Sequence, residues 1–270
     1  MGRTWNIFHN RIYYLVLKLL SSMPETFTLF FVFIISIVAS FFGSLIGGGT
    51  IISIPFLIMI GISPQVAIAT ERFGELGQNI TSFLKFLKSK KIIWKYVPVL
   101  TIFSLISSLI GSNILINTNA KILNNIVGIT ILAILPLLFL KKELGIKHFN
   151  VSKPKLIFGT IIFFLIQIFA AFYGGGTGIL TSYTLMCCFG LTVIESKATK
   201  TIPWLILSIS SIIIFATNGI INYKIGSVML IGMAIGGYTG THIAIKKGEI
   251  WVKRLFLIFV IVSVLKLLFF

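Results

Sequence analysis

The sequence predicts an all-α polytopic membrane protein built from two repeats. The chain has 270 residues, of which 57% are hydrophobic and only 11% charged, and its mean hydropathy is +1.05. Most of its uncharged apolar stretches reach the roughly 20 residues that a transmembrane helix needs. The tetrapeptide Gly-Gly-Gly-Thr occurs twice, and each copy interrupts such a stretch. These observations together favour a transporter-like architecture with two equivalent helix breaks.

Each glycine triplet predicts a broken helix. Lipid cannot satisfy the backbone groups that a break frees, so a break is tolerable only where protein covers it or where it lines a cavity. Two equivalent breaks in two halves indicate the binding site of a transporter. The alternative is that the triplets only let helices pack closely. The predicted site residues are Gly47, Gly48, Gly49 and Thr50 in the first copy and Gly174, Gly175, Gly176 and Thr177 in the second.

The two copies belong to a longer internal repeat. The triplets align at an offset of 127 residues, and the offset then becomes 129, which aligns Gly61 with Gly190 and Lys95 with Lys224. The collinear order of such matches indicates duplication. The sequence therefore predicts an N-terminal interfacial segment at 1–27, a first membrane repeat at 28–140, a basic cytoplasmic linker at 141–154 and a second membrane repeat at 155–270.

The distribution of lysine and arginine predicts that the repeats are inverted. Segment 85–95 carries five lysines, whereas its counterpart 214–224 carries one. The bias reverses in the next pair, because 117–121 carries one lysine and 246–254 carries four basic residues. Since basic loops stay in the cytoplasm, equivalent loops lie on opposite sides of the membrane. Two parallel repeats of four spans remain the alternative.

Inversion also predicts the internal architecture of each repeat. Three transmembrane spans carry the chain from one side of the membrane to the other. The apolar segment that precedes them in each repeat must therefore enter and leave the membrane on the same side. We therefore expect each repeat to be a broken-helix hairpin with a glycine-rich tip, followed by three transmembrane helices. The predicted spans cover 65–88, 95–117 and 121–140 in the first repeat and 194–218, 224–245 and 250–269 in the second.

The helix that starts after each triplet is expected to attract an anion. Its free N–H groups and positive dipole end point into the membrane interior. Thr50 and Thr177 could cap these helices or donate a hydroxyl to a ligand. Thr70 and Thr199 form a second equivalent pair, which could face the two tips or bond their own helix backbone.

Charged residues in the apolar segments form a third group of candidates. Glu71 and Lys200 are equivalent in the repeat, so they could pair near its axis, as a gate or a charge pair. Arg72 could instead attract the anion. Placement of these residues at the membrane interface is the alternative. Gln78 and Asn79, two turns deeper, could line a pathway or bond a neighbouring helix.

Composition and motifs exclude several other classes. The net charge of +17 lies in short loops between apolar runs, which argues against nucleic-acid binding. No nucleotide, metal-ligand or hydrolase motif is present, so we expect neither an enzyme nor a cofactor. The expected partners are a small anion and the lipid bilayer, with a proton or a sodium ion as the coupling ion. Oligomeric state stays open.

In the order of these motifs the chain resembles the TauE/SafE sulfite exporter family of bacterial anion permeases. The resemblance rests on a glycine-rich tip, Pro55, Gly61, the Ala-x-Ala-Thr at 67–70 and a basic turn closing at Trp94. It recurs in the second half and covers nearly everything from about residue 28.

The resemblance implies a secondary transporter of the inner membrane for small sulfur-containing or carboxylate anions, such as sulfite or organosulfonates. It also implies that the glycine tips, Thr70 and Thr199 line the pathway. Glu71 and Arg72 depart from the apolar or small residues expected after Thr70. We expect alternating access around a midplane site. The alternatives are a passive anion channel and a membrane scaffold that does not transport.

Overall fold

The computed structural model describes residues 24–119, 122–123, 145–248, 250–252 and 254–255, and these residues form helices and connecting turns without a strand. The prediction of an all-α membrane protein is confirmed. The predicted spans at 121–140 and 250–269 fall largely outside the described residues, as does most of segment 1–27. The helices are α1 Glu25–Ile46, α2 Thr50–Met59, α3 Pro64–Ser89, α4 Val97–Asn117, α5 Lys153–Phe172, α6 Thr177–Phe189, α7 Val193–Thr217 and α8 Tyr223–Lys247.

Within the described residues, five helices are long and apolar enough to cross a membrane, namely α1, α4, α5, α7 and α8. Helices α2 and α6 are apolar but shorter, as the returning arms of hairpins must be. Helix α3 is long as well, but its charged residues at 71, 72 and 75 lower its hydropathy. Because those three side chains are buried within the protein, α3 also fits a membrane-embedded position.

Both glycine triplets interrupt a helix. Helix α1 ends at Gly47, which adopts a left-handed conformation with φ of 96° and donates its N–H to Gly43 O. Such a conformation favours glycine, because it has no Cβ to clash. The second break contains two left-handed glycines, Gly174 and Gly176, with φ of 86° and 73°. Helix α6 then starts at Thr177.

The first hairpin enters and leaves at one end of the molecule. Leu57, near the end of α2, packs with Val32 of the first half of α1 and with Ala67 at the start of α3. Helix α8 begins at the same end, where Lys224 forms an ion pair with Glu25 of α1. The break at the far end of α1 therefore lies deeper in the molecule.

Helices α3 and α7, which are equivalent in the repeat, run antiparallel. Thr70, near the start of α3, accepts a hydrogen bond from Asn222 N beyond the end of α7 (3.0 Å). Thr199, near the start of α7, accepts one from Ile93 N beyond the end of α3 (3.0 Å). The two bonds join equivalent positions, since 129 residues separate Thr70 from Thr199 and Ile93 from Asn222.

The fourth helix of each half packs on the other half. Helix α8 packs along α1 and α3, whereas α4 packs along α5 and α7. Gly240 of α8 lies against Phe41 O of α1, and Gly111 of α4 lies against Ile168 O of α5. These contacts are also equivalent under the repeat offsets. Such an exchange is the pattern that a twofold relation between two repeats produces.

The lysine-rich segments meet at one end of the molecule. Phe86 and Ile92, from the end of α3 and the turn after it, pack with Ile194 and with Ile245 near the end of α8. A surface cavity at this end is lined by both Lys95 and Lys153. Segments 85–95 and 246–247 and the described part of the linker therefore lie at the same end of the molecule.

Candidate functional site

The two helix breaks touch each other inside the protein. Thr50 Oγ1, at the start of α2, donates a hydrogen bond to Gly174 O in the second break (3.1 Å). Gly178, in the first turn of α6, lies against Gly47 so closely that a Cβ on Gly47 would stand 2.7 Å from the Gly178 carbonyl carbon. Glycine is needed at both positions because the two backbones are in contact.

The two threonine hydroxyls converge on one carbonyl, whereas several amides of the breaks have no partner among the described residues. Thr177 Oγ1 also donates to Gly174 O (2.7 Å), so this oxygen accepts from both Thr50 and Thr177. Four break amides make no hydrogen bond to the part of the chain that the structure describes. Donors of this kind at helix starts are suited to an anion. They belong to Gly48, Gly49, Gly175 and Gly176.

A cavity of about 50 Å³ lies beside this contact. A water molecule needs about 10–15 Å³ on the same measure, so the cavity holds roughly three to five waters or one anion of similar heavy-atom count. Backbone of both breaks forms part of its wall. In the described residues no group of three or more His, Cys, Asp or Glu could hold a metal ion. The charged and amide side chains that line the cavity are Glu71, Glu75, Gln78, Asn79, Lys197 and Lys200.

Two lysines of α7 bring positive charge to the cavity. Lys197 Nζ donates to Ser44 O in the last turn of α1 (2.9 Å), where the break leaves carbonyls without helical partners. The ammonium group thus compensates the negative end of the α1 dipole. Lys200 Nζ donates to Gly178 O (2.7 Å) and lies 5.2 Å from the centre of the Trp204 ring. Each lysine is therefore anchored to a hairpin arm and exposed to the cavity.

Arg72 is neutralised within the protein. Its Nη1 lies 2.7 Å from Glu75 Oε2, and its Nη2 donates to Ala170 O. Glu75 Oε1 accepts a further hydrogen bond from Trp204 Nε1 (3.1 Å). Arg72 is fully buried and does not line the cavity, so the expectation that it attracts the anion directly needs correction.

Glu71 and Lys200 do not pair, which corrects a second expectation. Glu71 Oε1 accepts from Ser53 Oγ (3.0 Å), whereas Lys200 donates to a carbonyl of the second hairpin. Because α3 and α7 are antiparallel, residues that are equivalent in the repeat come together only near the point where the two helices cross. At this point Asn79 Nδ2 donates a hydrogen bond to Ser208 Oγ (3.1 Å). Glu71 and Lys200 each lie two turns before the crossing, so they fall on opposite sides of it. They nevertheless line the same cavity.

Thr70 and Thr199 also differ from expectation. Both are fully buried, and both accept hydrogen bonds from turns of the other repeat rather than facing the tips. Their hydroxyls satisfy backbone N–H groups that would otherwise be buried without a partner. We therefore assign them to the contact between the repeats and not to the cavity wall.

Sequence reasoning counted Glu75 and Lys197 only among the charges in apolar segments, and it missed Trp204. Lys197, Glu75 and Trp204 shape the cavity and its charge, but no motif identifies them. The available signal was that Glu75 aligns with Trp204 at the repeat offset, as Asn79 aligns with Ser208. Glu75 and Asn79 are four residues apart on α3, so they lie on the same face of this helix. Contacts between residues that the repeat makes equivalent therefore mark the face along which α3 meets α7.

The chain is similar to a known transporter family and to several probable membrane transporter proteins. A family model described as sulfite exporter TauE/SafE matches residues 32–267. A probable membrane transporter protein of Haemophilus influenzae is 25% identical over 84% of this chain and 89% of its own length. The probable membrane transporter protein YfcA of Escherichia coli K12 is 23% identical over 88% of each chain. The probable membrane transporter protein ORF9 of a Sinorhizobium species is 23% identical over 88% of this chain and 91% of its own. No solved structure matches the chain.

Proposed function

Because the chain belongs to the sulfite exporter TauE/SafE family of membrane transporters, we propose that it carries a small anion by alternating access around the cavity between its helix breaks. The observation that carries this proposal is the contact between the two breaks beside a cavity that is lined by two lysine side chains. In a membrane protein, buried charge next to broken helices is typical of a substrate site.

The charges around the cavity favour an anion. Lys197 and Lys200 face it, and the nearby Arg72 and Glu75 cancel each other. The backbone amide of Gly49, which lines the cavity and makes no hydrogen bond to the described residues, adds a donor. The volume of about 50 Å³ suits a compact ion such as sulfite. A larger organosulfonate or carboxylate requires the cavity to widen.

Alternating access follows from the relation between the two halves. The antiparallel course of α3 and α7 and the reciprocal contacts of α4 and α8 support two inverted repeats. With the lysine-rich end in the cytoplasm, the axis that relates the repeats lies in the membrane plane. Rocking of one hairpin against the other then opens the cavity to each side in turn. With its lysine-rich end facing the cytoplasm, the protein spans the bacterial inner membrane.

Substitution of Lys200 tests the proposal. Lys200→Gln removes the side-chain charge of Lys200 from the cavity. Lys224→Gln is the matched control, because Lys224 is exposed at the end of the molecule where α1 begins, away from the cavity. A hydrogen bond to a charged group contributes about 1.5–3 kcal/mol, so we expect roughly 10- to 150-fold weaker sulfite binding for Lys200→Gln. Binding is measured from the thermal shift that sulfite produces. Equal binding by the two variants contradicts the proposed site.

Reconstitution in liposomes separates the alternatives. A carrier shows counterflow of labelled sulfite against unlabelled sulfite, whereas a channel shows conductance without counterflow. A scaffold shows neither flux nor a thermal shift. We expect counterflow that Lys200→Gln reduces and Lys224→Gln preserves.

A further inference from the structure

Glu71 differs from Glu75, the other carboxylate at the cavity. It is 2% exposed, and within the described residues its carboxylate has one hydrogen-bond partner, the hydroxyl of Ser53. No cationic nitrogen of those residues lies within 4.0 Å of it. Its neighbour Glu75, one turn further along α3, accepts from both Arg72 and Trp204. Among the residues that the structure describes, Glu71 therefore has no cation of its own.

An unpaired carboxylate is expensive to bury, whereas a carboxylic acid with a hydrogen-bond partner is far cheaper. Glu71 can exchange a proton with water that enters the cavity, because its side chain lines the cavity wall. Ser53 lies on α2, the arm that returns from the first break. Glu71 thus connects the cavity to one of the elements that must move during transport.

The other titratable and charged groups around Glu71 set the charge of the site. Arg72 and Glu75 lie on its own helix, Tyr173 in the second break interacts with it electrostatically, and α7 contributes two lysines. Arg72 and Glu75 cancel each other. The two ammonium groups then face one carboxylate when Glu71 is ionised, and no carboxylate when it is protonated. When Glu71 is protonated, the positive charges of the two lysines balance the two negative charges of a dianion.

We propose that Glu71 binds the proton that accompanies the anion, so that one dianion and one proton move together. This inference rests on the proposed anion transport. The carboxylate takes the proton from water on one side of the membrane and returns it to water on the other side. The proton therefore follows the anion, and a proton gradient drives transport.

The test compares wild type with Glu71→Gln and with Glu25→Gln in liposomes whose membrane potential is clamped. Glu25→Gln is the control, because Glu25 is an exposed residue at the surface. With the outside acidic, one coupled proton drives up to about tenfold accumulation of labelled sulfite per pH unit. Sulfite itself changes its protonation with pH, so only differences between variants in the same gradient are compared.

We expect wild type and Glu25→Gln to accumulate sulfite in response to the gradient. We expect Glu71→Gln to lose that accumulation, and any counterflow that it retains, whatever its rate, to be insensitive to the pH gradient, because an amide cannot bind and release a proton. Accumulation by Glu71→Gln equal to wild type overturns the inference. If wild type shows sulfite counterflow but no response to the pH gradient, the inference about Glu71 is also overturned. The proposed function, transport of a small anion, then still stands. Failure of wild type to bind or move sulfite overturns the proposed function itself.

Ser53→Ala provides a second test that does not alter the carboxyl group. Loss of the hydroxyl donor destabilises the ionised form of Glu71, so protonation should persist to higher pH. We expect the pH profile of sulfite uptake, normalised to the maximum rate of each protein, to shift to the alkaline side. An unchanged pH profile would overturn the role of Glu71 in binding the proton. This test can be made even if Glu71→Gln does not fold.

Discussion

The contact between Gly47 and Gly178 allows a sharp test of how the two breaks form one site. Gly178 has a helical backbone, so alanine introduces no backbone strain at this position. A Cβ there would meet Gly47 O far inside contact distance and lie 3.1 Å from Gly47 Cα. Both atoms belong to the backbone, so they cannot rotate aside. Gly178→Ala must therefore separate the two hairpin tips.

Two opposing effects determine the magnitude. Overpacking of a tight contact is destabilising by about 1–3 kcal/mol, and alanine in a helix is favoured over glycine by about 1 kcal/mol. The net loss of stability is about 1 kcal/mol, which lowers Tm by roughly 2–4 °C. Binding should suffer more, because Gly178 O also anchors Lys200. Loss of one charge-assisted contact weakens sulfite binding roughly 10- to 150-fold.

The assay is thermal unfolding of the detergent-solubilised protein with and without sulfite. Gly226→Ala is the matched control, because the atom its Cβ would meet, 2.7 Å away, belongs to the Phe73 ring, which can turn aside. We expect the control to show the wild-type sulfite shift and Gly178→Ala to lose most of it. Wild-type Tm and wild-type sulfite shift in Gly178→Ala would show that the breaks do not meet in this way.

Three further predictions follow from the same contacts. Lys197→Met leaves the end of α1 without its ammonium partner and should cost about 1–3 kcal/mol of stability, measured by denaturation. A double-mutant cycle of Asn79→Ala and Ser208→Ala should give a coupling of roughly 0.5–3 kcal/mol, whereas strict additivity would contradict the helix crossing. Single cysteines that replace Lys90 and Lys224 should react with impermeant maleimide from opposite sides of the membrane, and labelling from one side would contradict inversion.

The sequence predicted the helices and their breaks well, because both depend on local patterns. Spans expected at 65–88 and 194–218 correspond to α3, Pro64–Ser89, and α7, Val193–Thr217. Glycine triplets interrupt helices through backbone conformation alone, so no knowledge of the neighbours is needed. Charge bias depends on loop composition, which is read directly from the chain.

The partners of individual side chains could not be predicted in this way. The repeat offset shows that Glu71 is equivalent to Lys200, but not where α3 and α7 cross. A shift of the crossing by two turns decides whether equivalent residues meet or lie on opposite sides. The same holds for Thr70, because its partner comes from a turn of the other repeat. Such contacts depend on packing between distant segments.

The role of Lys197 illustrates a different limit. Its acceptor, Ser44 O, is 153 positions away along the chain and is a backbone atom, so no side-chain motif marks it. The acceptor is free only because α1 is broken at the next turn. A lysine in an apolar helix without an acidic residue three or four positions away signals an unusual partner, but it does not identify one.

The most direct measurement is a crystal structure of the protein with selenite, a heavier analogue of sulfite, located by the anomalous signal of selenium. We expect one selenium peak between the two glycine breaks, within hydrogen-bond reach of Lys200 and of the backbone amide of Gly49. A peak elsewhere in a protein that binds selenite, or glycine turns lying apart in the headgroup layer, would contradict the shared site on which the transport mechanism rests.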